Sequence, residues 1–287
     1  LPKKLKFRQF SDDLLKEKFD LLVIALSLPG IDFIGKKLKH NKIKIPVLVL
    51  TKGLKYLSKK KKILTISENL KKNCGIKNVS VLKGPCLAKE LARKNQTSVV
   101  IANKNINFAK KIGKQISTKY YLTEFSRDVI GVEVCSAIKN IYSMAIGAAK
   151  GICKKNVSGE IKDKDYLNSA SALVNQAVYE MKIFVKFLKG KEETVNGLAG
   201  IGDLYVSSAG GRNSKMGSYL GDGMTYSFAK KNQMQNVTVE AADLAFEIGE
   251  KIKKDFQQKD LPLMISVINA ITKDEKLNVK WDLFNYL

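Results

Sequence analysis

The sequence predicts an α/β chain in two parts, a sheet-bearing first half and an all-helical second half. Three observations carry that expectation. Short β-branched runs alternate with Lys-rich stretches of helical spacing up to about residue 123, and after that point such runs stop. Residues 129–151, VIGVEVCSAIKNIYSMAIGAAKG, are then apolar on nearly every helical face, as a helix inside a core must be.

In chain order, the strand candidates are 19–27, 45–51, 78–84, 97–102 and 119–123. Continuous apolar strands separated by helices predict a parallel sheet covered on both faces, with ligands gathering at the carboxyl ends of its strands. Two segments lie at such ends: Thr51-Lys52-Gly53-Leu54 and Lys83-Gly84-Pro85-Cys86. A lysine next to a strand-end glycine is commonly part of a plain turn, so neither segment is specific alone. The run of four lysines at 59–62 reads as helix or loop surface.

In the second half, helices are expected at 129–151, 167–188, from about 240 to 256 and after Pro262, with a polar loop at 153–166. Ile130, Val134, Ala137, Ile138, Ile141, Ala145 and Ala148 form one buried stripe of the first helix. Glu133, Ser136, Asn140 and Ser143 form a narrow polar seam, with Lys139 beside it. An interior ammonium costs several kcal/mol unless it is paired or its pKa moves. Chemistry is one reason to keep it; the other reading is a lysine that reaches the surface or bonds to Glu133 or a carbonyl. The Gly-rich segment 196–217 carries Asp203, Ser207, Gly211, Arg212 and Asn213, and an Arg-Asn pair after a Gly-Gly turn can fork onto a phosphate or carboxylate.

The chain has 287 residues, 45% of them apolar, enough for ordinary cores in two domains. No uninterrupted apolar run reaches the roughly 18 residues of a membrane span. The formal net charge is +24, from 51 basic and 27 acidic residues, but the lysines are scattered without aromatic interleaving or a nucleic-acid-binding motif. Attraction for small anionic ligands is the expectation, with no specific nucleic acid as partner. Cys74, Cys86, Cys135 and Cys153 are widely spaced, as expected of reduced thiols in a cytoplasmic protein. The single histidine, His40, argues against His-based metal sites and Ser-His-Asp catalysis.

Taken together, five ordered segments resemble the NAD(P)-dependent sn-glycerol-3-phosphate dehydrogenases. TKGL at 51–54 is similar to the family's lysine-glycine turn, and GPCLAKEL at 84–91 to its GPxFAxE segment. VIGVEVCSAIKN at 129–140 is similar to its GvElcgalKN helix, LAGIGDL at 198–204 to its LAGxGDL, and GGRN at 210–213 to its phosphate site. The resemblance implies a Rossmann-like parallel sheet over 1–123 and an all-α substrate domain over 124–287. It implies hydride transfer between NAD or NADP and dihydroxyacetone phosphate or sn-glycerol 3-phosphate, supplying phospholipid synthesis. Lys139 would be the general acid/base, Lys52 a second active-site lysine, and Asp203 the carboxylate orienting both. Substrate contacts would come from Lys52, Gly84, Cys86, Lys139, Asn140, Asp203, Ser207, Gly211, Arg212 and Asn213. Cofactor contacts would come from Lys52, Ala88, Arg212, Thr238 and Glu240, and no metal is implied. A helical domain of this kind often pairs, so a homodimer is expected.

Departures accompany the likeness. The family opens with a strand running into GxGxxG, and this sequence instead begins LPKKLKF, similar to the family's Leu-Pro segment after its first two strands. The first strands and the adenine and pyrophosphate half of the cofactor site would then lie outside the chain, as expected of a fragment of a longer product. Smaller departures are Ala25-Leu26 for Val-Pro, Lys83 and Cys86 for hydroxyl residues, Gln176 for an arginine and Ala241 for a glycine. Two other readings stay open: a non-catalytic short paralogue binding an anionic metabolite or partner, and a related dehydrogenase of another phosphorylated hydroxy compound.

Overall fold

Five apolar runs pair into one sheet, in the order β1 (Leu22–Ile24), β2 (Val47–Val49), β5 (Val79–Lys83), β6 (Thr97–Ala102) and β7 (Tyr121–Ser126). The computed structural model describes residues 6, 8, 9, 15, 17–155 and 166–284. The Leu-Pro start and most of the polar loop expected at 153–166 therefore fall outside the described residues. β1, β2 and β5 run parallel, Val47 opposite Val79 and Val49 opposite Val81, and these side chains are fully buried. The helices α1 (Leu28–His40) and α2 (Ile66–Cys74) cross between them and cover the sheet.

One detail differs from expectation. β6 runs antiparallel to β5, with Val81 opposite Ala102. The connection between them holds only the short helix α3 (Ala88–Ala92), too little for the crossover that a parallel return requires. The next connection holds the longer α4 (Ile106–Ile116), and β7 is again parallel to β6. The lysine run at 59–62 is exposed, as expected of helix or loop surface, and forms a short 3-10 helix and turn at the tip of a hairpin of β3 (Leu54–Leu57) and β4 (Lys62–Thr65). Its tip is a tight turn in which Lys61 adopts φ 48°, and Leu54, Ile63 and Leu64 turn inward from it.

The helical half is built on α5 (Val129–Lys155). Around it stand α6 (Leu167–Phe187), α7 (Asp203–Ser208), α8 (Arg212–Gly221), α9 (Tyr226–Asn232), α10 (Glu240–Asp255) and α11 (Pro262–Thr272). α5 is long and apolar enough to cross a membrane, yet 94% of its most apolar window is buried by its neighbours, which marks it as a core helix. α8 crosses it backbone to backbone: a Cβ on Gly217 would lie 1.8 Å from the Met144 carbonyl oxygen, and one on Gly147 2.2 Å from that of Ser214. Only glycine permits that approach, and it sets the start of α8 beside the polar seam of α5. One cluster of buried apolar side chains runs from β2 and β5 through α5 into α6, α10 and α11. Within it Glu180 of α6 caps α11, accepting from the backbone N–H groups of Leu263 and Met264 at 2.7 and 2.8 Å. Gln176 also donates to Glu180, at 2.9 Å.

Candidate active site

The carboxyl ends of β1 and β2, the N-terminus of α1, the middle of α5 and the starts of α7, α8 and α10 surround a cleft of about 940 Å³. Each functional side chain arrives there for a local reason. Lys52 follows β2 and precedes Gly53, whose φ of +141° is a conformation that side-chain-bearing residues rarely adopt. Thr51 is anchored by its hydroxyl, which donates to the Leu26 carbonyl at 2.8 Å and so ties the ends of β1 and β2. Within the Gly-rich segment, residues 198–202 form a wide helical turn that leads directly into α7. Gly200 in it abuts Val195, where a Cβ would lie 2.0 Å from the carbonyl oxygen. Asp203 is thereby set into the floor of the cleft, 3% exposed.

Both oxygens of Asp203 are taken by ammonium groups. Lys139 Nζ lies 2.8 Å from Oδ1 and Lys52 Nζ 2.6 Å from Oδ2. Lys139 also donates to the Ser207 hydroxyl, and Ser143 donates to the Ser207 carbonyl at 2.9 Å. Lys139 therefore neither reaches the surface nor pairs with Glu133, which instead accepts from the backbone and hydroxyl of Ser67. Burial, and next the Lys52 ammonium, lower the Lys139 pKa from 10.5 to about 8, against the pull of Asp203 and Glu240. A lysine so placed exchanges its proton near neutral pH. Burial pushes the Cys86 thiol up, against the Lys52 charge, so it stays a neutral weak donor at the cleft mouth.

On the opposite side, Arg212 and Asn213 open α8, after Gly211. Glu240 at the start of α10 accepts from both, from Asn213 Nδ2 at 3.2 Å and from the Arg212 guanidinium. Asn213 Oδ1 accepts in turn from the Ala241 N–H at 3.0 Å, which fixes its amide. Of the residues expected from sequence, Lys52, Cys86, Lys139, Asn140, Asp203, Ser207, Gly211, Arg212, Asn213, Thr238 and Glu240 all line this cleft. Gly84 and Ala88 do not. Gly84 sits at φ +118° against the backbone of Val99, and Ala88 opens α3.

Sequence reasoning passed over Thr51 as an anchor, Ser27 and Pro29 at the start of α1, and Asp243, which also line the cleft. Pro29 in the first turn of a helix was the available signal for that wall. Lys83, part of a segment expected to be either a ligand site or a plain turn, has its side chain fully inside the protein and does not line the cleft.

Comparison with known proteins agrees with this geometry. The family model described as NAD-dependent glycerol-3-phosphate dehydrogenase C-terminus matches residues 128–281, and the corresponding N-terminus model matches 1–109. An NADP(+)-dependent glycerol-3-phosphate dehydrogenase of Archaeoglobus fulgidus is 30% identical over 254 residues, covering 85% of this chain and 72% of the relative. A glycerol-3-phosphate dehydrogenase [NAD(P)+] of Clostridium botulinum is 33% identical, covering 84% and 70%. The crystal structure of glycerol-3-phosphate dehydrogenase from Coxiella burnetii superposes with a TM-score of 0.80 at 26% identity, over 96% of this chain and 79% of that one. The yeast glycerol-3-phosphate dehydrogenase structure, at 20% identity and a TM-score of 0.78 over 93% of this chain and 75% of that one, shares the fold.

Proposed function

Since this chain belongs to the NAD-dependent glycerol-3-phosphate dehydrogenase family, we propose that it catalyses hydride transfer between NAD(P)H and dihydroxyacetone phosphate, forming sn-glycerol 3-phosphate, and the reverse. One observation carries the assignment of roles: two lysines share a buried carboxylate at the floor of a cleft whose far side presents Arg212 and Asn213. Residues 1–123 act as a partial dinucleotide-binding domain, with β7 running on to Ser126, and 124–287 as the substrate domain.

The cleft fits the nicotinamide end of a dinucleotide. Ala25, Leu26, Leu28 and Pro29 give an apolar wall at the carboxyl ends of the first strands, and Thr238 and Glu240 face it. When bound, the dinucleotide supplies or accepts the hydride. Arg212 and Asn213 hold the substrate phosphate, which replaces the Glu240 carboxylate as their partner. Lys139 gives its proton to the substrate carbonyl oxygen during reduction and takes it back during oxidation. Lys52 adds a second positive charge where that oxygen becomes an alkoxide, and Asp203 keeps both ammonium groups aimed at one point. The cellular role assigned by this reading is supply of sn-glycerol 3-phosphate for phospholipid synthesis in the cytoplasm, by a homodimer.

The test follows nicotinamide absorbance with dihydroxyacetone phosphate, using the full-length protein and its Lys139→Ala variant. Turnover that the variant loses supports the proposal; absent turnover, or a variant equal to the parent, overturns it.

A further inference from the structure

Lys83, the last residue of β5, is 2% exposed, and its ammonium donates to the carbonyl oxygens of Thr51 at 2.5 Å and Val49 at 3.3 Å. Among the described residues no carboxylate lies within ion-pair distance of it. Burying an ammonium on two carbonyls is a poor way to stabilise a core, because an apolar side chain of similar volume fills the space without the desolvation cost. The carbonyls it holds are the last of β2 and the one immediately before Lys52. Thr51 is thus fixed twice, through its hydroxyl to Leu26 and through its carbonyl to Lys83, and Gly53 follows at a positive φ.

We propose that Lys83 is the positioning residue for Lys52: by clamping the end of β2 it holds the Lys52 ammonium on Asp203. Lys52 is about a third exposed, and a long lysine side chain keeps one geometry only if its backbone is fixed. The consequence reaches Lys139, whose proton affinity depends on Lys52 beside it. The charged groups facing Lys139 are Lys52 from the β2–β3 turn, Asp203 from α7 and Glu240 from α10. Those acting on Lys83 are Glu133 of α5, Lys52 and Asp203, and burial keeps its own pKa at about 8. If Lys52 swings away, Asp203 is left to Lys139 alone and the repulsion disappears, so Lys139 holds its proton to higher pH.

The inference rests on the dehydrogenase reading for its catalytic meaning, but its test does not need turnover. The full-length protein, labelled with ¹³C at lysine Cε, is titrated by NMR, and Lys139 is identified by the resonance lost in Lys139→Met. In Lys83→Met the Lys139 titration should move up by about one pH unit, a tenfold change in proton affinity. In a Lys52→Met background the same substitution should move nothing further. An unmoved Lys139 titration in folded Lys83→Met, or an equal move with Lys52 already removed, overturns the proposal. Should Lys83→Met fail to fold, Lys83→Gln, which keeps one shorter donor, carries the measurement: a partial upward move supports the proposal and none overturns it. In turnover, Lys83→Met should lower kcat about tenfold and leave KM for dihydroxyacetone phosphate nearly unchanged, because Arg212 and Asn213 are untouched. A parent without turnover but with the expected titration behaviour would refute the dehydrogenase reading and leave the positioning role standing.

Discussion

At the floor and at the rim of the cleft two side chains meet on one carboxylate, yet burial makes the two places different devices. At the floor, the Lys139 and Asp203 side chains are 6% and 4% exposed; at the rim, those of Arg212 and Glu240 are 56% and 35% exposed. Water screens the rim pair, so it contributes little stability and can be exchanged for another anion at little cost. The floor pair has lost its water, so each member depends on the other, and the proton affinity of Lys139 is shifted as a result. A ligand's phosphate can therefore displace Glu240 from Arg212, whereas nothing is expected to displace Asp203.

The most severe way to break that contrast is Asp203→Asn. It leaves the buried Lys139 ammonium without its counter-charge and Lys52 without its anchor. We expect a stability loss of about 3–5 kcal/mol in urea unfolding, together with a fall in kcat of roughly a thousandfold. A variant as stable as the parent would show that the floor is screened like the rim.

Next in size is Lys139→Met, which separates chemistry from stability because Asp203 keeps Lys52. Turnover should fall about 10²–10³-fold with little change in melting. The pH dependence has a definite sign. Lys139 has a folded pKa of about 8, below its usual 10.5, so between these values the unfolded chain binds a proton that the folded one has released. Its burial opposes folding below about pH 8, and that opposition is relieved as pH rises toward 10.5. The stability of the parent relative to Lys139→Met should thus increase across this window, while reduction of dihydroxyacetone phosphate declines above about pH 8 as the proton to be donated is lost. A flat stability difference would mean that the lysine is solvated.

The floor was legible in the sequence to the extent that its residues sit in patterned elements. Lys139 interrupts a helix whose periodicity requires burial, and Lys52 and Asp203 lie in segments whose order along the chain is specific. The rim was legible through GGRN, although its engagement with Glu240 depends on how α10 is packed against α8, which no local pattern encodes. The burial of Lys83 was not legible because a lysine before Gly-Pro has the appearance of a surface turn, and its burial is decided by β2 lying beside β5. The antiparallel β6 escaped because strand direction depends on what the connection can span, and the residues of β6 themselves are equally suited to either direction. The hairpin β3–β4 was hidden because the lysines at its tip mask the inward Leu54, Ile63 and Leu64.

At the rim, Arg212→Ala should cost about 1.5–3 kcal/mol in kcat/KM for dihydroxyacetone phosphate, the value of a charge-assisted hydrogen bond to the phosphate. Melting should change by less than about 0.5 kcal/mol, because the pair removed is exposed. An unphosphorylated substrate analogue should feel the change far less, and an equal loss for both would remove Arg212 from phosphate recognition.

The smallest effect, and the finest test of the contrast, comes from Glu240→Gln. The carboxylate accepts from Arg212 and Asn213, the two side chains proposed to hold the phosphate, and would compete with it. Neutralising Glu240 weakens that competition, and calorimetry with inorganic phosphate should show binding tightened by a few-fold, more at low salt than at high salt. The substitution also removes an acidic group from the first turn of α10, which costs a few tenths of a kcal/mol through the helix dipole. Stability should therefore fall only slightly while anion affinity rises, whereas at the floor neutralising Asp203 strips a buried ammonium of its counter-charge and costs several kcal/mol of stability. If phosphate binding in Glu240→Gln were unchanged or weaker, Glu240 would be part of a fixed scaffold like Asp203, and the distinction between an exchangeable rim and a permanent floor would fail.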